Sequence, residues 1–479
     1  MATSLNAVRD RGTPGFDARD GNNGRIVRAD AAHVDALCGI ERKAVQLFRG
    51  HPAWPSYAAV SIPPALLHLA ISRGLVWVAL DASDEPVGFV WLDTDVGDGA
   101  IGIAEIDVLP SHGRRGVGAA LLEHACDWAR AAGYRRVDLG TLADVPWNAP
   151  FYARHGFAAV DKNEPGFAFA RQRDRDNGFP EHLRQFMSRA LPPPAAGDWT
   201  AWPAPAKLNL FLRIVGRRDD GYHELQTVFR LLDWGDEIRL RVRDDGQIRR
   251  LSDTPGVPAE HDLVTRAARL LQVDGGKGVD ITVEKRIPMG GGLGGGSSDA
   301  ATVLVALNHL WGRGLDVDAL AELGRQLGAD VPVFVRGRSA WAEGVGEKLT
   351  PLSLPRRYHV VLDPHEPVPT AALFQAPELT RNAPRATISS FVSGETTENA
   401  FTAAVRARHP PVAAALDWLA GFGAARLSGS GGGVFLETGS LDRAVAIARR
   451  CPAAFSAQVA AGVDVSPLNR ALARYGGAP

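Results

Sequence analysis

The sequence predicts a multidomain protein of α/β and α+β class, and three observations predict it. Strands alternate with helices over residues 25–191, three successive prolines interrupt the chain at 192–194, and a glycine-rich stretch after Pro288 leads into an apolar helical run. The 479 residues, 45% hydrophobic and 22% charged, have ordinary globular composition. That length is enough for about three domains with large cores.

Hydrophobic periodicity places the first elements and the boundaries. It predicts strands at residues 75–80, 86–92 and 103–109 and a helix over 117–132. Residues 1–24, polar and glycine-rich, are predicted to be a disordered tail, and residues 25–191 one compact unit. Prolines cannot continue a helix, so residues 192–199 are predicted to be a stiff linker. A second break near residues 351–357 divides the remainder into two lobes, 200–352 and 353–479.

Composition excludes several classes of protein. The formal net charge is −1 and no extended basic stripe is present, so neither a nucleic-acid nor an acidic-membrane partner is expected. The first residues lack an apolar signal core and no run reaches the roughly 18 apolar residues of a membrane helix, which predicts a cytoplasmic protein. Cys38, Cys126 and Cys451 are widely separated, so neither a disulfide framework nor a metal site is predicted. The expected partners are small molecules, and the oligomeric state stays open.

The stretch from Pro288 to Ala301 holds six glycines and two serines and is typical of a phosphate-binding loop. Glycines allow the positive φ angles that aim successive N–H groups at one anion, and Ser297 and Ser298 are predicted to cap the following helix. A flexible linker is the alternative, but residues 300–311 form a buried helical pattern instead of more linker. The spacing is neither that of a P-loop nor that of a Rossmann loop. The residues predicted to hold a nucleotide are Pro288, Gly290, Gly291, Gly292, Leu293, Gly294, Gly295, Gly296, Ser297 and Ser298.

The pattern Pro-x-x-x-Gly-Leu-Gly-x-x-Ser-Ser in this stretch resembles the ATP loop of the GHMP kinases. Residues 204–212, 220–229 and 327–334 narrow the resemblance to the branch that phosphorylates a cytidine-diphosphate-linked polyol in non-mevalonate isoprenoid synthesis. The resemblance covers about residues 202–473 and its motifs stand in the family's order. It implies a two-lobed GHMP kinase fold that uses ATP and Mg²⁺.

Lys207, Asn209 and Asp330 are the candidate reacting groups. Lys207 and Asn209 alternate with apolar neighbours on a predicted strand, so both face one side, and an ammonium there would polarise the reacting oxygen. On the bare pattern, a strand lysine is more often solvated, and an aspartate before Val-Pro is more often a helix or turn cap. The resemblance implies instead that Lys207 and Asp330 are catalytic and that Asn209 binds the substrate. Lys285 is expected to approach the nucleotide.

The segment Gly221-Tyr-His-Glu224 resembles the family's cytidine pocket, although as isolated residues it would more often be a turn. Tyr222 and His223 suit the stacking and edge contacts of a base. The remaining substrate-binding candidates are the apolar walls Phe229 and Phe374 and, near the substrate, Thr370.

Two positions depart from the kinase pattern. Asp262 stands where the family has an asparagine beside the adenine, which puts the adenine contacts in question. Gly432, in a second glycine stretch over residues 427–434, replaces a frequent alanine. That loop is expected to pack near the phosphates.

The first unit carries a second motif, in which a strand, a basic glycine turn and a helix follow one another over residues 106–122. It resembles the acetyl-coenzyme A loop of the GNAT acetyltransferases, with Gly113 as a departure at its first position. The resemblance implies Tyr152 as the acid for the leaving thiolate and Glu105 as a base acting through water. The expected coenzyme contacts are Arg114, Arg115, Gly116, Gly118 and Asn148. The alternative is a catalytically silent partner domain.

These resemblances together predict a GNAT-like domain followed by a GHMP kinase. Two alternatives stay open: a GHMP kinase for another alcohol such as homoserine or mevalonate, and an acetyltransferase with a kinase-like scaffold. Tyr222 and His223 count against the first, while Lys207, Asp330 and the glycine loop count against the second. The acetyl acceptor is not predicted.

Overall fold

The computed structural model describes residues 17–18, 22–94, 96, 99–161, 163–219, 221–253, 257–258 and 260–477. The chain divides into two compact units, Met1–Ala195 and Ala196–Pro479. Most of the predicted tail, residues 1–24, lies outside the described residues. Within the described residues, no helix is both long and apolar enough to cross a membrane.

The first unit is built around one mixed sheet. Its elements are β1 (Asp17–Ala18), β2 (Asn22–Asn23), β3 (Arg25–Arg28), α1 (Val34–Ala44), α2 (Trp54–Ala59), α3 (Pro64–Ser72), β4 (Val76–Leu80), β5 (Pro86–Asp93), β6 (Ala100–Val108), α4 (Val117–Ala131), β7 (Arg136–Leu142), α5 (Ala149–Arg154), β8 (Ala158–Ala159), α6 (Ala168–Asp176) and β9 (Arg184–Ala190). The three predicted strands and the predicted helix are confirmed to within three residues at each end.

The seven-stranded sheet of this unit has the order β3-β4-β5-β6-β7-β9-β8. Every neighbouring pair is antiparallel except β6 and β7, which are joined by the α4 crossover that a parallel pair requires. Helix α4 buries Val117, Leu121, Leu122, Ala125 and Cys126, an apolar stripe at helical spacing that covers one face of the sheet.

Strands β6 and β7 pair over only residues 100–102 and 136–138, after which β6 continues on β5 and β7 on β9. On the β5 side, Leu92 pairs with Ile103 and Trp91 with Glu105, so Ala104 is the extra residue of a β-bulge. A bulge re-aims the side chains that follow it. Beyond residue 102, β6 is therefore hydrogen-bonded to β5 on one edge and no longer paired with β7 on the other.

The second unit contains long strands and a set of shorter elements. They are β10 (Trp199–Arg217), β11 (His223–Arg243), β12 (Ile248–Arg250), α7 (Leu263–Leu271), β13 (Gly278–Glu284), α8 (Gly295–Leu310), α9 (Val317–Arg325), α10 (Val331–Arg336), β14 (Ala340–Glu343), β15 (Lys348–Pro351), β16 (Tyr358–Asp363), α11 (Thr370–Phe374), α12 (Ile388–Val392), α13 (Thr402–Arg408), α14 (Pro410–Ala420), β17 (Ala425–Leu427), β18 (Val434–Thr438), α15 (Leu441–Ala448), β19 (Ser456–Val463) and α16 (Pro467–Arg474).

Two cores lie on opposite faces of the β10–β11 hairpin. Because side chains alternate along a strand, Phe229 and Leu231 enter one core while Val228 and Leu232 enter the other. The first core is closed by α8, whose residues 300–307 are all buried, as the apolar run in the sequence predicts. Strand β19 pairs with both β11 and β16 and so joins the two lobes into one sheet.

The predicted lobe boundary requires one correction, because α16 lies in the core of the first lobe. Leu468, Ala471 and Leu472 share one face of this helix and belong to the same buried cluster as α8. Spacings of three and four residues place those side chains in one stripe. Helix α16 was predicted to belong to the lobe 353–479, but it packs in the core of the lobe 200–352.

Candidate functional site

The glycine loop leads directly into α8. Gly290, Gly292 and Gly294 have φ angles of 74°, 68° and 78°, a region that favours glycine. The N-cap of α8 is Gly294, so the helix begins before the two serines and neither of them caps it, which corrects the prediction. The free N–H groups of this first turn and the positive end of the helix dipole create a site for an anion.

A second glycine stretch packs against this loop, backbone on backbone. The N–H of Gly432 donates to the carbonyl of Gly290 at 3.2 Å, and Gly433 donates to Gly291 at 2.9 Å. The hydroxyl of Ser428 donates to the carbonyl of Gly292 at 3.1 Å. A cavity of about 250 Å³ opens along the loop, lined by Lys285 and residues 288–296. Its lining brings together all the predicted loop residues except the two serines.

Lys207 lies on β10 and is only 3% exposed. Its ammonium donates to the Asn209 side-chain oxygen at 2.5 Å and to the Gly292 carbonyl at 2.9 Å, and it lies 3.3 Å from an Asp330 carboxylate oxygen. The three donors of the ammonium thus meet three acceptors. The predicted common face of Lys207 and Asn209 is confirmed by the hydrogen bond between them.

Asp330 immediately precedes α10, where a capping role would place its side chain on the helix. Within the described residues it makes no capping hydrogen bond, and its one-third exposed carboxylate pairs with Lys207 instead. Asn209 completes the group, because its amide nitrogen donates to the Thr227 hydroxyl at 2.9 Å and so fixes its oxygen toward Lys207. A buried cation and an accessible carboxylate therefore stand beside the glycine loop.

Lys285 lies at the base of the loop but is already paired. Its ammonium contacts the carboxylates of Asp236 and, at 2.9 Å, of Asp299. Burial and the Asp236 carboxylate raise the pKa of Asp299 well above its usual range. Among the described residues, one Asp299 oxygen and the buried Ser298 hydroxyl have no hydrogen-bond partner. Asp299 was missed by the sequence reasoning, although its position next to Ser298 in the motif was a usable signal.

Of the residues predicted to bind the cytidine base, His223 and Phe374 are in contact with each other. His223 stacks on Phe374 with ring centroids 4.8 Å apart, and its buried Nε2 has no hydrogen-bond partner among the described residues. Burial and the Arg217 guanidinium lower the pKa of His223, so its ring is neutral near pH 7. Tyr222 is 66% exposed and does not lie within the His223–Phe374 stack.

Two further substrate candidates lie elsewhere. Phe229 is 2% exposed, and its ring centroid lies 5.4 Å from the Lys207 ammonium, within range of a cation–π contact. The residue therefore packs in the core against Lys207 and does not line an open substrate pocket, which corrects the prediction. Thr370, at the start of α11, shares a 2.9 Å hydrogen bond with Ser430 of the second glycine stretch.

The departure at Asp262 has a local explanation. Its carboxylate caps α7 by accepting from the Val264 N–H at 3.0 Å and also pairs with Arg250. An aspartate is a strong N-cap, and the positive end of the helix favours its charge. The residue therefore stabilises the start of α7.

In the first unit, the basic glycine turn exposes the start of α4. Gly116 is its N-cap with φ 85°, and Arg114 also has a positive φ of 60°. Gly113 has φ −64°, so its departure from the family pattern needs no glycine conformation. Arg114 and Arg115 are exposed beside the N–H groups of the helix. The turn thus presents anion donors and positive charge at one place.

The predicted acid and base of this unit come from two elements, Tyr152 from α5 and Glu105 from β6. Tyr152 follows Asn148, which stands at the N-cap of α5 and whose carbonyl accepts from the Tyr152 N–H at 3.1 Å. Burial and the Glu105 and Asp107 carboxylates raise the pKa of the Tyr152 hydroxyl, which keeps it protonated as an acid must be. Burial and the Glu41 carboxylate raise the pKa of Glu105 to about 7. Sequence reasoning missed Glu41, which carries no motif and acts on β6 through the packing of α1.

Family models match both units. The GHMP kinases N terminal domain matches residues 262–338 and the GHMP kinases C terminal domain matches 388–457. The acetyltransferase (GNAT) family matches residues 47–157. The chain thus joins a GNAT-like domain to a kinase of the GHMP class.

Curated relatives narrow the kinase class. The 4-diphosphocytidyl-2-C-methyl-D-erythritol kinase of Xanthomonas euvesicatoria is 60% identical over 286 residues, which are 59% of this chain and 97% of the relative. The enzyme of that name from Xylella fastidiosa is 59% identical over 273 residues, 56% of this chain and 92% of the relative. The chain belongs to the 4-diphosphocytidyl-2-C-methyl-D-erythritol kinase family.

Solved structures are similar to each unit. A crystal structure of 4-(cytidine 5'-diphospho)-2C-methyl-D-erythritol kinase is 36% identical with a TM-score of 0.46 and covers 55% of this chain and 99% of its own. N-acetylglutamate synthase from Neisseria gonorrhoeae is 20% identical with a TM-score of 0.28 and covers 35% of each chain.

Proposed function

We propose that the second unit transfers the γ-phosphoryl group of ATP to the 2-hydroxyl of 4-diphosphocytidyl-2-C-methyl-D-erythritol. The observation that carries the proposal is the 3.3 Å pair between buried Lys207 and accessible Asp330 beside the glycine loop. Relatives that carry this kinase name are 60% identical over nearly their whole length, which supports the choice of substrate.

The residues divide the chemistry among them. The N–H groups of the glycine loop and of the start of α8 hold the phosphates. The Asp330 carboxylate accepts the proton of the acceptor hydroxyl, whose oxygen attacks the γ-phosphorus as the bond to the bridging oxygen of ADP breaks. Lys207 lies between Asp330 and the loop carbonyl of Gly292, where its charge stabilises the negative charge that develops on the transferred group.

The residues at the start of α8 also fit the Mg²⁺ that accompanies ATP. Ser298 and Asp299 each carry a buried oxygen without a partner among the described residues, and hard cations prefer oxygen ligands. Bound there, Mg²⁺ would neutralise charge on the phosphates. The described residues hold no group of three or more His, Cys, Asp or Glu side chains suited to a metal by themselves, so the phosphates would have to supply further oxygens.

The cytidine end is assigned to His223, Tyr222 and Phe374. The neutral His223 ring, fixed on Phe374, can exchange a hydrogen bond with the polar edge of the base through its unpartnered Nε2. Exposed Tyr222 offers a face for stacking, which is worth about 1–3 kcal/mol per base.

The test is a turnover assay on the purified full chain with ATP, Mg²⁺ and the cytidine substrate. ADP release is followed continuously, and mass spectrometry must show a product that has gained one phosphate. Homoserine and mevalonate are the matched alternative acceptors. Faster turnover of either one, or ATP consumption without the phosphorylated product, would contradict the assignment.

We also propose that the first unit is an acetyl-coenzyme A-dependent N-acetyltransferase. The exposed, dipole-oriented start of α4 beside Arg114 and Arg115 suits the coenzyme diphosphate, and the protonated Tyr152 suits the leaving thiolate. Calorimetry on the full chain should show saturable acetyl-coenzyme A binding. Gly116→Val should abolish it, because φ 85° strains any other residue. No heat of binding with the folded full chain would leave this unit as a silent partner domain.

A further inference from the structure

Three acidic side chains lie where α1 packs on the end of β6 in the first unit: Glu41, Glu105 and Asp107. Glu105 and Asp107 alternate on β6 and pair across the sheet with Trp91 and Phe89, so both point to the face that α1 covers. Glu41 comes from α1 and raises the pKa of both β6 carboxyls. Glu105 and Asp107 act in turn on Tyr152, the acid proposed for the transfer, so two of the three acidic side chains adjoin the reacting group.

Glu41 is the most informative of the three because it is only 7% exposed. Among the described residues its carboxylate has no hydrogen bond or ion pair, Arg42 is the cation that lowers its pKa, and its neighbours Leu37, Ile40 and Ala44 on α1 are buried apolar residues. Burying a carboxylate without a partner is expensive. A carboxylate kept in that position, where its charge acts on Glu105, suits a cation that the site receives from outside.

The protein's own cations do not balance the cluster. Arg184 acts on Glu105 but is already held by Asp174 through two hydrogen bonds of 2.7 and 3.2 Å. Arg173 is the other cation that acts on Glu105, and Arg42 acts on Glu41, so two guanidinium groups face three acidic side chains.

Aromatic side chains border the same group. Tyr57, whose pKa is raised by burial and by the Glu105 and Asp107 carboxylates, stacks on Phe48 with centroids 4.3 Å apart. Phe179 meets Tyr57 edge-on at 4.9 Å. Aromatic faces attract ammonium groups, and their carbon surface packs against methylene chains. Carboxylates with aromatic neighbours form the chemical complement of an alkyl ammonium.

We propose that the acceptor of the first unit is a small aliphatic polyamine. One ammonium group stays charged against Glu41 and Asp107 while the other loses its proton to Glu105. The resulting amine attacks the thioester carbonyl, the carbon–sulfur bond breaks, and Tyr152 protonates the leaving thiolate. The nitrogen loses its second proton as the amide forms, and that proton returns to the Tyr152 oxygen. The products are a monoacetylated amine and free coenzyme A. This inference rests on the proposed acetyltransferase function.

The test compares three amines with the full chain and acetyl-coenzyme A. Putrescine has two ammonium groups, butylamine lacks the second one, and γ-aminobutyrate replaces it with a carboxylate. Because a hydrogen bond to a charged group is worth about 1.5–3 kcal/mol, kcat/KM for putrescine should exceed that for butylamine by about 10- to 100-fold. The value for γ-aminobutyrate should be lower still.

Glu41→Gln isolates the second ammonium site. It should raise KM for putrescine about tenfold, with the KM for butylamine and the Kd for acetyl-coenzyme A unchanged, which a merely structural residue would not do. Glu85→Gln removes the same charge from an exposed turn and should change none of these. Asp107→Asn provides the same readout if Glu41→Gln does not fold.

Two outcomes overturn the inference and are distinguishable. If acetyl-coenzyme A binds but putrescine and butylamine react equally, the polyamine assignment fails while the acetyltransferase stands. If acetyl-coenzyme A does not bind in calorimetry, both proposals fail together.

Discussion

Asp330→Asn removes one negative charge from the pair with Lys207 and keeps the shape of the side chain. A positioned base contributes on the order of 100-fold or more to turnover, so kcat should fall by at least that factor. The glycine loop is not altered, and the Kd for ATP measured by calorimetry should change little.

The structure also sets the expected cost in stability. Breaking a fully buried ion pair costs about 3–5 kcal/mol, but the Asp330 side chain is 33% exposed. Lys207 keeps two acceptors, the Asn209 oxygen and the Gly292 carbonyl. The loss should therefore be closer to one partly solvated charged hydrogen bond, about 1–2 kcal/mol in urea unfolding, which leaves the protein folded.

Asp318→Asn is the matched control. Asp318 pairs with Arg336 at 2.8 Å on the surface, where an ion pair is worth about 0–1 kcal/mol, and neither kcat nor the unfolding midpoint should move measurably. A folded Asp330→Asn protein with near-normal kcat would refute the assignment of Asp330 as the base.

Three more outcomes are expected. His223→Ala should raise KM for the cytidine substrate about 5- to 100-fold while the KM for ATP stays nearly constant, and equal losses for both would make the residue structural. Gly432→Ala should lower the unfolding free energy by about 1–3 kcal/mol because its Cβ would lie 2.6 Å from the Glu366 carbonyl, whereas Gly439→Ala has open space and should be neutral by the same measurement. The pKa of Glu105 is about 7, so acetyl transfer should rise with pH through about 7 as its carboxylate forms. A pH–rate profile of Glu105→Gln should lose that step, and an unchanged profile would exclude Glu105 as the base.

Local patterns predicted the parts of the kinase site that local forces decide. The alternation along β10 placed Lys207 and Asn209 on one face, and the apolar run after the glycines predicted that α8 is buried. The serine caps were predicted wrongly because Gly294 takes a left-handed conformation and starts the helix earlier. A glycine-rich stretch has several possible helix starts, and propensity alone does not choose among them.

Nonlocal packing decided what the sequence left open. On its own pattern Asp330 resembled a cap, and only the β10 strand beside it supplies Lys207 as its partner. Glu41 carries no motif, since its meaning comes from the packing of α1 against β6 and from the neighbouring Glu105. Groups of this kind become visible only when burial and missing partners are known together.

The return of α16 to the first core of the second unit has a consequence for synthesis on the ribosome. Residues 467–474 complete a cluster that begins with Trp202, so the growing kinase chain keeps apolar surface open until that late segment has emerged. The compact GNAT-like unit ends at Ala195, so it can fold while the ribosome is still translating the kinase. The nascent chain is therefore most exposed to aggregation while the kinase segment is being synthesised. At that stage a folded GNAT-like domain already precedes the kinase segment on the chain.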